Sequence, residues 1–263
     1  MSRSAIAASG LKFASTLRQS GVRKTIRHYR TVTLHHAHTA FDRRFHPRAR
    51  DDLTAGKAEL EALTIAGPHR ATGVHYLPTP WRILDWVHDE LPTPDPRATF
   101  IDYGCGKGRA VISAAARPYG RVIGVEFAAE LAATAHDATR RFARGARSTI
   151  EIHEGDATLF PIPPTPIVAF LFNPFGPPVI DRVAAALSRA WIDYRQPIVL
   201  AYLNPVHQRA FADAAGFTRV PLSTLGRLRF AFASPYRLSL FATREVRGFR
   251  HHAKRKGGHR TAL

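Results

Sequence analysis

The chain has 263 residues, 45% of them hydrophobic, which suits one large α/β domain with extensions, or two small domains, and excludes wholesale disorder. A single cysteine, Cys105, excludes an internal disulfide and a four-thiolate zinc site, so a reducing cytoplasm is the expected setting and no metal site is expected. The net charge of +18 sits at the ends: residues 1–50 hold 11 Lys/Arg against Asp42 alone, residues 244–263 hold seven against Glu245, and residues 51–243 are nearly neutral with 20 basic and 18 acidic side chains.

The ends could therefore meet phosphate-bearing partners while the middle has no such bias. No apolar run reaches the roughly 20 residues that span a bilayer, and the first residues lack the apolar core of a secretory signal, so neither kind of segment is expected. Ser4 to Arg30 places some apolar residues at helical spacing among Ala, Arg and Ser. That pattern fits a solvated basic arm, an arm for nucleic acid or a membrane surface, or an organelle transit peptide. His35-His36-Ala37-His38 has no second cluster at ligand spacing and reads as solvated histidines of this arm; His251-His252 reads the same way. Leu53 to Leu63 predicts a short helix. Trp81 to Leu91 predicts a helix lying on the core, with Trp81 and Trp86 packed rather than stacked on bases. Pro92-Thr93-Pro94-Asp95-Pro96 then breaks the chain.

From Ala98 strand and helix patterns alternate. Strands are predicted at Thr99–Tyr103, Arg121–Phe127, Thr149–His153, Ile167–Phe172 and Pro197–Leu203, and helices at Gly108–Arg117, Ala128–Arg144, Val179–Tyr194 and Val206–Ala215. Two late strands, Phe217–Leu222 and Arg237–Ala242, have no clear helix between them and suit an antiparallel edge. Repeated β-α units predict an α/β fold: a doubly wound, mostly parallel seven-stranded Rossmann-like sheet with helices on both faces. The expected segments are a basic N-terminal arm (1–50), a helical extension (51–97), a ligand-binding domain (98–243) and a basic, disordered tail (244–263).

Asp102-Tyr103-Gly104-Cys105-Gly106-Lys107-Gly108-Arg109 follows a predicted strand and opens a predicted helix. Gly104, Gly106 and Gly108 permit tight turning and close backbone approach to a ligand, and the helix start offers unpaired N–H groups. A dinucleotide loop would place glycine at 109, where this chain has Arg. The D-x-G-x-G-x-G spacing favours the amino-acid end of S-adenosylmethionine over a pyrophosphate, with Asp102 facing the ammonium group or the turn amides. Glu126, ending the second strand, can accept the ribose hydroxyls. Asp156, in Gly155-Asp156-Ala157 after the third strand, can accept from the exocyclic amine of adenine, with Ala157 beside it. After the fourth strand, the carboxamide oxygen of Asn173 can accept from a substrate amine, Phe175 can stack on a planar or cationic group, and Pro174, Pro177 and Pro178 stiffen the loop.

At these residues the chain resembles a group of bacterial class I methyltransferases of largely unassigned substrate. The likeness rests on Asp102–Gly108, Gly124-Val125-Glu126, Gly155-Asp156-Ala157 and Asn173-Pro174-Phe175-Gly176, with Phe41-Asp42-Arg43-Arg44-Phe45 and Tyr76-Leu77-Pro78-Thr79 upstream, and covers about residues 41–243. More distantly the chain is similar to non-SET histone lysine methyltransferases, which carry Asn-Asn-Phe where this chain has Asn173-Pro174-Phe175. The Pro echoes the Asn-Pro-Pro-aromatic motif of amino-group methyltransferases acting on adenine or glutamine. The resemblance implies that Tyr76–Thr79 folds over the cofactor and that Tyr76 or Thr79 touches it.

The expected reaction is in-line displacement on the sulfonium methyl, with the cofactor carrying the leaving group and the protein supplying alignment and electrostatics. The expected acceptor is an amine on a protein or other macromolecule. A small-molecule or nucleic-acid acceptor, and a cofactor-binding protein without catalysis, remain alternatives. No general base is assigned from sequence: His153 and Glu154 read as surface groups, and Cys105 as a small loop filler.

Overall fold

The computed structural model describes residues 22–49, 52–56, 76–244 and 246. The remainder of the N-terminal arm, most of the Leu53–Leu63 prediction, His251-His252 and the rest of the tail lie outside the described residues.

The strands are β1 (Thr99–Tyr103), β2 (Arg121–Glu126), β3 (Thr149–Glu154), β4 (Ile167–Phe172), β5 (Ile198–Leu203), β6 (Phe217–Val220) and β7 (Leu238–Thr243). They form one sheet in the order β3-β2-β1-β4-β5-β7-β6. β1 pairs in parallel with β2 and β4, and β7 runs antiparallel to both β5 and β6. The order reverses between β1 and β4, the place where open α/β sheets bind ligands beyond their carboxyl ends.

The helices are α1 (Val22–Phe45), α2 (Trp81–Glu90), α3 (Arg109–Ala115), α4 (Ala129–Phe142), α5 (Pro177–Tyr194), α6 (Arg209–Ala212) and α7 (Thr224–Leu228). Strand alternation sends successive side chains to opposite faces. Phe100 joins Val87, Leu84 and Val111 in one core, while Ile101 and Tyr103 join Ile180, Val183 and Leu187 in the other. All five residues of β1 are buried and all six of β5, as expected for strands covered on both faces.

Three elements differ from the sequence expectation. Residues 22–45 of the expected arm form the 24-residue α1, and His35 and His38 are buried rather than solvated. The helix docks through polar side chains: Arg30 donates to the carbonyls of Ala231 and Phe232 at 2.9 Å, Thr31 to that of Pro235 at 3.3 Å, and His38 Nε2 pairs with that of Ala233 at 2.9 Å. A docking face built from Arg, Thr and His carries no apolar periodicity for a sequence reading to detect. Near its end, the Asp42 carboxylate accepts from the backbone N–H groups of Trp81 (2.6 Å) and Arg82 (3.3 Å), so an acid from α1 caps the otherwise unpaired start of α2.

The helix predicted at Val206–Ala215 shrinks to the four residues of α6, and Gly216 then turns the chain into β6 at φ +86° with no room for a Cβ beside the Trp191 ring. Between β6 and β7, where no helix was expected, stand α7 and a π-helical turn, Arg229–Ala233. Ser223 caps α7 through Gly226 N–H, and buried Glu90 of α2 accepts from Ser223 N–H and its hydroxyl at 2.7 and 2.6 Å. A five-residue helix held by a distant carboxylate lies below the length at which periodicity is readable.

Candidate active site

A cavity of about 360 Å³ opens at the carboxyl ends of β1, β2, β4 and β5. Its floor is the glycine loop. Gly104, Gly106 and Gly108 all have positive φ. At Gly106 (φ +56°) an added Cβ would stand 2.3 Å from the Tyr76 ring, so glycine is required both by conformation and by the ring lying against it. At Gly104 an added Cβ would stand 2.4 Å from Pro174, which brings the loop after β4 against the floor.

Asp102 and Glu126 both line this cavity and both are buried. Glu126 Oε2 accepts from Gly106 N–H at 2.7 Å and Oε1 from Ala128 N–H at 3.0 Å. An ionised carboxylate has about four acceptor directions, so capacity remains for a ligand hydroxyl. Burial, and then the charge of Glu126, raise the Asp102 pKa well above the usual carboxylate value; burial also raises that of Glu126, against the backbone N–H groups that lower it. Two neighbouring buried acids whose pKa values no cation lowers suit a positively charged ligand.

The roof comes from further away. Tyr76, Leu77 and Thr79 line the cavity, and Tyr76 donates its hydroxyl to Thr54 O at 2.8 Å. Arg109, standing where a dinucleotide loop has glycine, fixes this roof. Its guanidinium donates to Asp52 Oδ2 at 2.6 Å, Thr54 Oγ1 at 2.8 Å and Thr79 O at 2.9 Å. Asp52 also accepts from Trp81 Nε1 at 3.0 Å, and Arg109 lies 5.1 Å from the centre of the Trp81 ring. Lys107 adds a bond to Ala55 O at 2.9 Å and sits over the Tyr76 ring.

At the third wall Asn173, Pro174 and Phe175 line the cavity with Phe172, Asn204 and Tyr236. Asn173 (φ 42°) and Asn204 (φ 52°) both adopt the left-handed region that Asn tolerates better than most residues. The Asn173 carboxamide oxygen accepts from Tyr202 hydroxyl at 3.3 Å. Phe175 is buried with its ring edge-on to Phe127.

The cavity thus gathers Tyr76, Thr79, Asp102, Gly104, Gly106, Glu126, Asn173, Pro174 and Phe175. Gly108, Asp156 and Ala157 lie outside its lining. Gly108 packs on Ala135 as the N-cap of α3, Asp156 accepts from Thr158 N–H in its own turn, and Ala157 is in the core. His153 and Glu154 are exposed, and Cys105 is buried with its thiol pKa raised by that burial. Sequence reasoning missed Arg109, Asn204 and Tyr236 as cavity residues. Leu203-Asn204-Pro205 repeats the strand-Asn-Pro pattern of Phe172-Asn173-Pro174 one strand later, a signal that could have found Asn204. Among the described residues no three His, Cys, Asp or Glu are placed to hold a metal ion, and no helix is long and apolar enough to cross a membrane.

Residues 100–191 match the profile of a methyltransferase domain. The chain is 32% identical over 131 residues to the nocamycin O-methyltransferase of Saccharothrix syringae, an alignment that covers 48% of this chain and 44% of that protein, so it spans under half of that relative. Similar solved structures include an RNA methyltransferase from Salinibacter ruber in complex with S-adenosyl-L-homocysteine (19% identity, 64% of this chain and 92% of that one, TM-score 0.42). Another is the geranyl diphosphate C-methyltransferase of Streptomyces coelicolor A3(2) (16% identity, 62% and 75%, TM-score 0.41). The stretch from Phe100 to Trp191 that matches the methyltransferase-domain profile is set in the seven-stranded Rossmann-like sheet that the following strands complete.

Proposed function

We propose that the chain transfers the methyl group of S-adenosylmethionine to an amine on a protein or other macromolecule. The observation that carries the donor half of this reading is the pairing of buried Asp102 and Glu126 beneath the glycine loop, a site made for a ligand that bears an ammonium and hydroxyl groups. In this reading Asp102 holds the ammonium, Glu126 the ribose hydroxyls, and Tyr76 and Thr79 close over the ligand, with Asp156 and Ala157 behind the adenine end. The sulfonium supplies an activated methyl group when bound. The protein's residues orient it and exclude water, and Asn173, Pro174 and Phe175 position the acceptor.

A second reading, a hydroxyl on a small molecule, is favoured by the nocamycin O-methyltransferase relative. Both are tested by incubating the full chain with methyl-tritiated S-adenosylmethionine and fractionated cell extract. Label in protein supports the first and label in small molecules the second. Label in nucleic acid that is lost when residues 1–21 and 247–263 are removed, with α1 (Val22–Phe45) left in place, would instead make the basic ends a nucleic-acid contact. Binding of S-adenosylhomocysteine in calorimetry without label in any fraction would mark a binding protein without catalysis.

A further inference from the structure

Either acceptor, hydroxyl or amine, must lose a proton to become a stable methylated product, and the proposed mechanism so far holds no group to take it. The titratable side chains that line the cavity are few. Asp102, Cys105 and Glu126 belong to the glycine-loop floor, Tyr76 spends its hydroxyl on Thr54 O, and Arg109 is paired with Asp52. Tyr236 is the remaining one among the described residues, and it stands at the wall of Asn173 and Asn204, its ring 4.6 Å from that of Phe172. Its hydroxyl is 2.8 Å from Nδ1 of buried His35.

The pair is firmly placed. Tyr236 N–H donates to Ser234 hydroxyl at 3.0 Å, and Thr31 and His38 of α1 bond to carbonyls on the same stretch as Tyr236. Burial raises the Tyr236 pKa, which disfavours a free phenolate and requires any proton taken by its oxygen to be matched by one given up.

We propose that Tyr236 and His35 form a proton-accepting pair for a hydroxyl or amine acceptor. As the acceptor's oxygen or nitrogen bonds to the methyl carbon, the carbon–sulfur bond breaks and its electron pair stays on sulfur. The acceptor's proton passes to the Tyr236 oxygen while the Tyr236 proton passes to His35 Nδ1. The positive charge lost at sulfur reappears as imidazolium, which later returns its proton to solvent. Tyr236 is the catalytic residue and His35 acts through it. This rests on the methyltransferase reading above.

The test compares the full wild-type chain with Tyr236→Phe, His35→Asn and the double variant. The readouts are transfer of tritiated methyl to the extract fraction that wild type labels, S-adenosylhomocysteine affinity by calorimetry, and the thermal midpoint. Asn presents an acceptor near the place of Nδ1, so it preserves the hydrogen bond yet cannot take a proton. Turnover at saturating fraction should fall about 100-fold or more in each single variant, the scale of general-base catalysis. The double variant should fall no further, since the two act as one unit. Cofactor-product affinity and the midpoint of His35→Asn should match wild type. If His35→Asn turns over at the wild-type rate, or Tyr236→Phe stays within about threefold of it, the pair is only a dock for α1 and the proposal fails. If wild type labels no fraction, the methyltransferase reading fails and the proposal falls with it.

Discussion

The floor and the roof of the cavity are built in opposite ways. The floor spans Asp102 to Glu126, a continuous stretch of β1, loop, α3 and β2, and its key contact, Gly106 N–H to Glu126, stays within that one β-α-β unit. The roof takes Asp52, Thr54, Tyr76 and Thr79, and the side chain that ties three of them together is Arg109, which rises from the helix that the floor begins, with Lys107 adding its bond to Ala55 O. A floor written in one motif can be altered for ligand affinity with little cost to the fold. A roof hung on a buried ion pair cannot. Arg109→Met tests this most strongly, because it leaves the Asp52 carboxylate buried without its cation. Removing one partner of such a pair costs about 3–5 kcal/mol, and denaturant unfolding should show a loss of that size together with weakened S-adenosylhomocysteine binding. A loss under about 1 kcal/mol would mean that the roof does not hang on Arg109.

Gly106→Ala probes the contact between floor and roof. The new methyl group would need the space of the Tyr76 ring and a φ of +56°. The left-handed backbone alone costs roughly 1–2 kcal/mol. Tyr76 must then swing away from the loop, so ligand affinity should fall at least about tenfold, or 1.4 kcal/mol. Unchanged affinity in calorimetry would remove Tyr76 from the ligand's cover.

The same contrast explains what could be read from the sequence. The floor was legible because glycines, a strand-end acid and their order lie within 25 residues of one another. The strands were legible too: β1 and β4 fall on their predicted bounds, β2, β3, β5 and β7 differ by a residue at one or both ends, and β6 stops two residues early. The roof was not, since Arg109 and Asp52 are 57 positions apart and nothing in either residue's local pattern announces the other. His35 and Tyr236 are separated by 201 positions, and His35 sat in a run that reads as a solvated arm. Burial of polar side chains through long-range hydrogen bonds leaves no hydrophobic period, which is the signal sequence reading uses. Asp42 gives a mixed case: the motif reading of Phe41–Phe45 marked the segment, while its role as the cap of α2 emerged only from the fold.

Asp102→Asn separates affinity from stability within the floor. Burial, followed by the charge of Glu126, raises the Asp102 pKa in the folded, ligand-free chain. A carboxyl raised in this way contributes stability that is fully present below its unfolded pKa and is lost as pH rises through its folded pKa. The Asn variant has no such loss. Its thermal midpoint should therefore gain on wild type with rising pH, by roughly 2–4 °C if about 1 kcal/mol is recovered in a chain of this size. In the proposed binding mode its affinity for S-adenosylhomocysteine should also fall, since there the ammonium would lose its partner. A variant that melts below wild type at alkaline pH would mean that Asp102 is held ionised by something other than the ligand.

The smallest effect is expected away from both walls. Arg121 at the start of β2 pairs with Glu151 of β3, with bonds of 3.0 and 2.7 Å, and both side chains are nearly half exposed. The geometry is bidentate, yet solvent and salt screen it, and exposed pairs of this kind contribute about 0.2–1 kcal/mol. Arg121→Ala should lower the unfolding free energy by no more than that, less in high salt, and leave ligand affinity untouched. A larger loss would show that the outer edge at β3 helps to hold β2 in register and so holds Glu126 in place. Floor and edge would then be one unit, and the independence of the floor from the rest of the fold would have to be given up.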